Sequence, residues 1–67
     1  MERNLAGVRA LVTGAGGGIG RAIAVRLAAG GCRVAAADIR TDKTEQTVDL
    51  IRQAGGEALA LTVDMAW

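Results

Sequence analysis

A short apolar run followed by a glycine-rich turn decides the fold of this chain. The segment reads Leu11-Val12-Thr13-Gly14-Ala15-Gly16-Gly17-Gly18-Ile19-Gly20-Arg21-Ala22-Ile23-Ala24. It is typical of a buried strand, a tight turn and the start of a helix. A turn of this kind brings backbone N–H groups and a helix N-terminus close to an anion, with no side chains between them. The segment therefore predicts a phosphate-binding turn.

The spacing of the glycines separates the known nucleotide-binding motifs. A P-loop requires a lysine directly after its last glycine, and the first lysine of this chain is Lys43. The general dinucleotide pattern G-x-G-x-x-G, begun at Gly14, requires a glycine where the chain has Ile19. The pattern that fits is T-G-x-x-x-G-x-G, formed by Thr13, Gly14, Gly18 and Gly20.

Three short apolar segments are typical of β-strands, and they alternate with two segments of helical periodicity. Helical crossovers of this length join parallel strands and are right-handed in ~98% of cases. The chain is therefore predicted to be α/β, with the strand-helix-strand-helix-strand order of the first half of a doubly wound, parallel-sheet Rossmann fold. The predicted strands are 8–13, 33–37 and 58–63.

Both predicted helices carry an apolar face and end at a pair of glycines, Gly30-Gly31 and Gly55-Gly56. The second helix is expected to begin with a capping box, in which Thr41 or Asp42 is the cap and Glu45 follows. The expected apolar faces consist of Ile19, Ile23 and Leu27 in the first helix and of Thr44, Val48 and Ile51 in the second.

Composition and charge narrow the possible partners. Eight basic and seven acidic residues are spread along the 67-residue chain, so no basic stripe indicates nucleic acid. Cys32 is the single cysteine and histidine is absent, which leaves no internal disulfide and no Cys/His metal centre. No apolar run approaches the ~18 residues of a membrane span. We expect a cytoplasmic protein without metal, nucleic-acid or membrane partners, with Cys32 in its core and Arg21 and Arg26 solvated.

The third predicted strand is apolar on both faces. Leu59, Leu61 and Val63 alternate with Ala58 and Ala60, and strands of this type are normally covered on both faces. Two right-handed crossovers in one direction cover only one face. We therefore expect residues 1–67 to be an incomplete N-terminal portion of a dinucleotide-binding domain, and we expect the isolated chain either to be marginally folded or to self-associate.

The motif and its surroundings resemble the short-chain dehydrogenase/reductase family. T-G-x-x-x-G-x-G follows an apolar strand and precedes Arg21-Ala22-Ile23-Ala24, while Asp38 and Asp64 end the next two strands. The resemblance spans residues 5–65, about the first quarter of a family member. It implies a homo-oligomeric oxidoreductase that transfers hydride between NAD and an alcohol or carbonyl. The family's catalytic serine and tyrosine have no counterpart here, and Lys43 does not match its catalytic lysine, so no catalytic residue is assigned.

The cofactor-binding residues are expected to be Gly14, Gly17, Gly18, Ile19, Asp38, Asp64 and Met65. Asp38 follows Gly14 by 24 residues, where an acidic side chain accepts hydrogen bonds from the adenosine ribose. With Gly17 it favours NAD over NADP, whereas Arg40 is placed to meet a 2′-phosphate. The resemblance implies that Asp64 bonds the adenine amino group, that the Met65 backbone meets the ring and that the Thr13 hydroxyl ties the turn together.

Two further hypotheses remain open from the sequence. The chain is a non-catalytic adenine-nucleotide-binding segment or remnant, or it is a small interaction module that uses an exposed sheet face. A Tyr-x-x-x-Lys sequence in frame after Trp67 would favour the enzyme.

Overall fold

The computed structural model describes residues 5–63, which form a three-stranded parallel sheet and two helices. The strand-helix-strand-helix-strand order predicted from the sequence is confirmed, and each strand boundary lies within one residue of its prediction. The elements are β1 (Arg9–Thr13), α1 (Gly18–Ala29), β2 (Arg33–Asp38), α2 (Thr41–Gln53) and β3 (Glu57–Thr62).

The strands lie in the order β1-β2-β3, so β2 is central. Val12 lies beside Ala36 and Ala36 beside Ala60, which places small side chains in one row across the sheet. Helix α1 contacts β1 and β2, α2 contacts β2 and β3, and the two helices contact each other. Both helices therefore cover the same face of the sheet, as two right-handed crossovers require.

The face of α1 that packs on the sheet is not the one that periodicity suggested. Ile19 is 80% exposed and Ile23 is 47% exposed, whereas Ala24 and Ala28 are buried. The predicted apolar stripe is therefore wrong at Ile19 and Ile23, whereas Leu27 is partly buried against the core. Small residues face the sheet because α1 lies very close to the glycine turn. Even a Cβ on Gly20 would overlap the Gly14 carbonyl oxygen.

The inner face of α2 agrees with its prediction. Thr44, Val48 and Ile51 are buried, and Thr47 is buried beside them. The predicted capping box is wrong, because the Thr44 N–H bonds the Arg40 carbonyl and makes Arg40 the N-cap. This start leaves Thr41 and Asp42 inside the first turn, with no side-chain cap bond.

The opposite face of the sheet carries exposed leucines. Leu11 is 63% exposed, Leu59 50% and Leu61 40%, and no helix between residues 5 and 63 covers them. The covered face, in contrast, holds Val12, Val34 and Ala36 in the core. The sheet is thus apolar on both faces and helix-covered on one, as the alternation in the third strand predicted.

Candidate functional site

The glycine turn lies between β1 and α1, at the carboxyl end of the sheet. Gly14 and Gly18 have φ angles of +66° and +55°, in the left-handed region that glycine adopts without steric cost. Gly17 is the N-cap of α1, and the Arg21 N–H is bonded to its carbonyl. The N–H groups at the start of a helix have no carbonyl partner within it. Gly18 and Ile19 are the first two residues of α1 and are exposed, and their N–H groups make none of the turn or loop hydrogen bonds found between residues 5 and 63.

Asp38 ends β2 and is only 7% exposed. Its Oδ2 accepts hydrogen bonds from the Gly16 N–H (2.9 Å) and from Arg40 Nη2 (2.9 Å). Its Oδ1 accepts hydrogen bonds from the Arg40 N–H (3.1 Å) and from Arg40 Nε (3.2 Å). The Arg40 side chain foremost, and then the two backbone N–H groups, hold the pKa of this carboxyl well below its usual range against the opposing effect of burial. Asp38 is therefore ionised at neutral pH and bound directly to the turn.

A second set of hydrogen bonds joins the turn to α2. The Thr47 hydroxyl donates to the Ala15 carbonyl at 2.6 Å and accepts from Arg21 Nε at 2.9 Å. Arg21 Nη2 donates to the Gly16 carbonyl at 2.8 Å and to the Lys43 carbonyl at 3.1 Å. The expectation that Arg21 is a solvated helix residue is therefore wrong, while Arg26 is exposed as expected.

The sequence contains one indication that Arg21 is not a solvated residue. A cation in the first turn of a helix opposes the helix dipole, so Arg21 occupies a position that needs compensation. The carbonyls of Gly16 and Lys43 supply it, together with the Gln46 side chain, whose Oε1 lies 3.2 Å from Arg21 Nη2. The partner Thr47 lies 26 residues further along the chain, and nothing local in the sequence indicates the pairing.

The structure brings most of the predicted site residues together. Gly14, Gly17, Gly18 and Ile19 share the turn, and Asp38 reaches it through the Gly16 N–H. Asp64 and Met65 lie outside the described residues. The Thr13 side chain makes none of the side-chain hydrogen bonds found between residues 5 and 63, where Thr47 and Asp38 bind the turn instead. Cys32 is buried, as expected.

Residues 8–67 match the short chain dehydrogenase family. The chain belongs to this family. The glycine turn, the strand that precedes it and the strand that ends at Asp38 all lie within the matched residues, so the geometry described above is that of the family's N-terminal segment.

Similar proteins cover a range of substrates and cofactors. An uncharacterized oxidoreductase of Thermotoga maritima is 46% identical over 63 residues, which are 94% of this chain and 25% of that protein. A 7α-hydroxysteroid dehydrogenase complexed with NADH and 7-oxo glycochenodeoxycholic acid is 43% identical, with a TM-score of 0.89 over 94% of this chain and 25% of its own. A putative 2-deoxy-D-gluconate 3-dehydrogenase from Agrobacterium tumefaciens, with bound NADP, is 48% identical, with a TM-score of 0.85 over 92% of this chain and 24% of its own.

The chain thus spans about a quarter of the length of these short-chain dehydrogenases. Both NADH and NADP occur among the bound cofactors. Between residues 5 and 63, neither helix is long and apolar enough to cross a membrane.

Proposed function

We propose that this chain is the N-terminal portion of a dinucleotide-binding domain and holds the adenosine diphosphate part of NAD. The parent activity is hydride transfer between NAD and an alcohol or carbonyl. The observation that carries the proposal is the adjacency of two features: exposed N–H groups of Gly18 and Ile19 at a helix start, and the ionised carboxylate of Asp38. In doubly wound folds the first receives the pyrophosphate and the second the ribose hydroxyls.

The preference for NAD over NADP rests on charge. The Asp38 carboxylate would repel a 2′-phosphate, and Gly17 offers no cation to attract one. Arg40 already contacts both oxygens of Asp38, and its side chain is 54% exposed. A carboxylate has about four acceptor positions, and Arg40 and Gly16 fill them. Ribose hydroxyls must therefore replace the Arg40 guanidinium on the buried Asp38 carboxylate, where their O–H donors take over the hydrogen bonds that Arg40 gives up.

The proposed contacts beyond residue 63 follow from the family resemblance. Asp64 would bond the adenine amino group and the Met65 backbone would meet the ring. The whole chain contains no tyrosine and no serine, so none of its residues is proposed as the acid or base of the reaction.

Titration of the 67-residue chain with ADP-ribose, NAD and NADP tests this function. We expect saturable binding of ADP-ribose and NAD with similar affinities, weaker binding of NADP, and shifts of the amide resonances of Gly17, Gly18 and Ile19. The variant Asp38→Ala should narrow the difference in affinity between NAD and NADP. Asp49→Ala, which changes an exposed residue of α2, should leave this difference in affinity unchanged. Absence of ADP-ribose binding would overturn the proposal, and equal affinities of the unmodified chain for NAD and NADP would overturn the preference.

A further inference from the structure

Two carbonyl groups of the glycine turn accept hydrogen bonds from side chains outside the glycine motif. The Ala15 carbonyl accepts from the Thr47 hydroxyl at 2.6 Å, while the N–H of the same peptide unit, on Gly16, donates to Asp38. The Gly16 carbonyl accepts from Arg21 Nη2 at 2.8 Å. Both contacts come from helices, Arg21 from α1 and Thr47 from α2.

A carbonyl held in this way also sets the direction of an N–H. The peptide bond is planar and trans, so its C=O and N–H point in opposite directions. The contact between Arg21 and the Gly16 carbonyl therefore directs the Gly17 N–H away from the Arg21 guanidinium. The contact between Thr47 and the Ala15 carbonyl likewise directs the Gly16 N–H toward Asp38.

The many glycines of the turn explain why its conformation needs these contacts. Gly14, Gly16, Gly17 and Gly18 have no side chains to restrict the backbone, and glycine loses more conformational freedom on ordering than any other residue. A turn built from them has many accessible conformations unless other groups fix it. The Gly16 position is tightly enclosed as well, since a Cβ there would lie 2.7 Å from Asp38 Oδ2 and 2.9 Å from the Lys43 Cβ.

We propose that Arg21 and Thr47 are positioning residues that orient the glycine turn for the pyrophosphate of the dinucleotide. This inference rests on the proposed function. Their hydrogen bonds form one continuous chain, from Arg21 through Thr47 and the 15–16 peptide to Asp38. Hydrogen bonds in such chains polarise one another. The chain therefore fixes the turn proposed for the pyrophosphate against α1, α2 and the end of β2.

The test compares matched substitutions in the 67-residue chain. Thr47→Val removes the hydroxyl without removing charge, and Thr47→Ser retains it. The matched control is Thr44→Val, because Thr44 is equally buried on α2 but its hydroxyl donates to the Arg40 carbonyl at the start of the same helix. Arg21→Gln is paired with Arg26→Gln, which changes an exposed arginine of the same helix α1.

Each variant is titrated with ADP-ribose and with adenosine, after circular dichroism has shown that it is folded. We expect Thr47→Val and Arg21→Gln each to weaken ADP-ribose binding about tenfold, the equivalent of one hydrogen bond. Adenosine affinity should change less than about twofold, since adenosine lacks the pyrophosphate. Thr47→Ser and the two control variants should bind both ligands like the unmodified chain.

A readout without ligand completes the test. In the free protein, Thr47→Val and Arg21→Gln should shift the amide resonances of Gly16 and Gly17, and the control variants should leave them in place. Unshifted resonances, or an equal loss of ADP-ribose and adenosine affinity, would overturn the positioning role and indicate structural support alone. Failure of the unmodified chain to bind ADP-ribose would instead overturn the proposed function, and the inference with it.

Discussion

Replacing Gly20 with alanine is the most direct test of how α1 meets the glycine turn. Gly20 lies in the first turn of α1, and an added Cβ would overlap the Gly14 carbonyl oxygen. It would also lie 2.6 Å from the Gly14 carbonyl carbon and 3.2 Å from the Ala15 Cα. All three are backbone atoms, so no side-chain rotation can relieve the overlap.

The geometry sets the size of the effect. Carbon atoms pack at about 3.5–4.0 Å, so α1 must move away from the turn by about 1 Å. This shift also loosens the contacts of Ala24 and Ala28, which are buried in the core. Overpacking of this kind costs about 1–3 kcal/mol, and the higher helix propensity of alanine returns up to ~1 kcal/mol. The midpoints of these two ranges give a net loss of about 1.5 kcal/mol, which corresponds to a decrease in Tm of about 6–12 °C for a domain of this size.

Thermal and urea unfolding, followed by far-ultraviolet circular dichroism, measure this loss. The matched control is Gly17→Ala: Gly17 has an extended backbone with φ −178°, and no atom lies within 4 Å of an added Cβ. Only the small difference between glycine and alanine at an N-cap should appear there, below ~1 kcal/mol. A Gly20→Ala variant as stable as the unmodified chain, or more stable, would refute the close contact between α1 and the turn.

Three further outcomes are expected. The 67-residue chain should catalyse no NAD-dependent oxidation of alcohols, because it contains no tyrosine or serine; NADH production above a protein-free control would contradict this. The pKa of Asp38 is lowered from its ordinary value of 3.8, so its contribution to the free energy of unfolding is complete above that pH and decreases as the pH falls below it. Urea midpoints at about pH 3 and pH 6 should therefore differ less in Asp38→Asn than in the unmodified chain, and equal differences would refute the assignment. The exposed leucine face should cause self-association, which Leu59→Lys should reduce in size-exclusion chromatography and Leu50→Lys, on α2, should not; a monomeric, cooperatively melting unmodified chain would contradict this.

The succession of strands and helices along the chain could be predicted, as could the turn, because both depend on local patterns. The run that ends at Thr13 is apolar throughout, and the glycines that follow it allow few alternatives to a tight turn. Asp38 was predictable for a similar reason, since it ends an apolar strand at a fixed distance from Gly14. Secondary structure of this kind is encoded within a few residues, and the parallel sheet follows from the length of the crossovers.

The face of α1 was not predictable from periodicity alone. Ile19, Ile23 and Leu27 recur every fourth residue, but so do Gly20, Ala24 and Ala28. A search for large apolar residues selects the first set, whereas the structure buries Ala24 and Ala28 and packs Gly20 against the Gly14 carbonyl. Which face of α1 packs on the sheet depends on the distance between the helix and the sheet, and the sequence of the helix alone does not determine that distance.

The contacts of Arg21 were hidden for a different reason. Its bond to Thr47 joins residues 26 positions apart, and Thr47 in turn donates to the Ala15 carbonyl 32 residues earlier. Such pairs appear only when two crossovers have placed both helices on one face of the sheet. The predicted capping box at Thr41 or Asp42 was wrong because α2 begins earlier than expected. The chain leaves β2 at Asp38, and Arg40 is already the N-cap of α2.

The small face of α1 connects the core of this protein to its proposed site. Axial distances between packed elements depend on the size of the side chains at the contact. With Gly20, Ala24 and Ala28 facing inward, α1 lies close enough for its first turn to touch the Gly14 carbonyl. Isoleucine on this face would bury more apolar area, but it would also move the first turn of α1 away from β1 and Asp38. The chain thus places small residues where large ones would stabilise the core more, and these small residues keep the first turn of α1 against the Gly14 carbonyl.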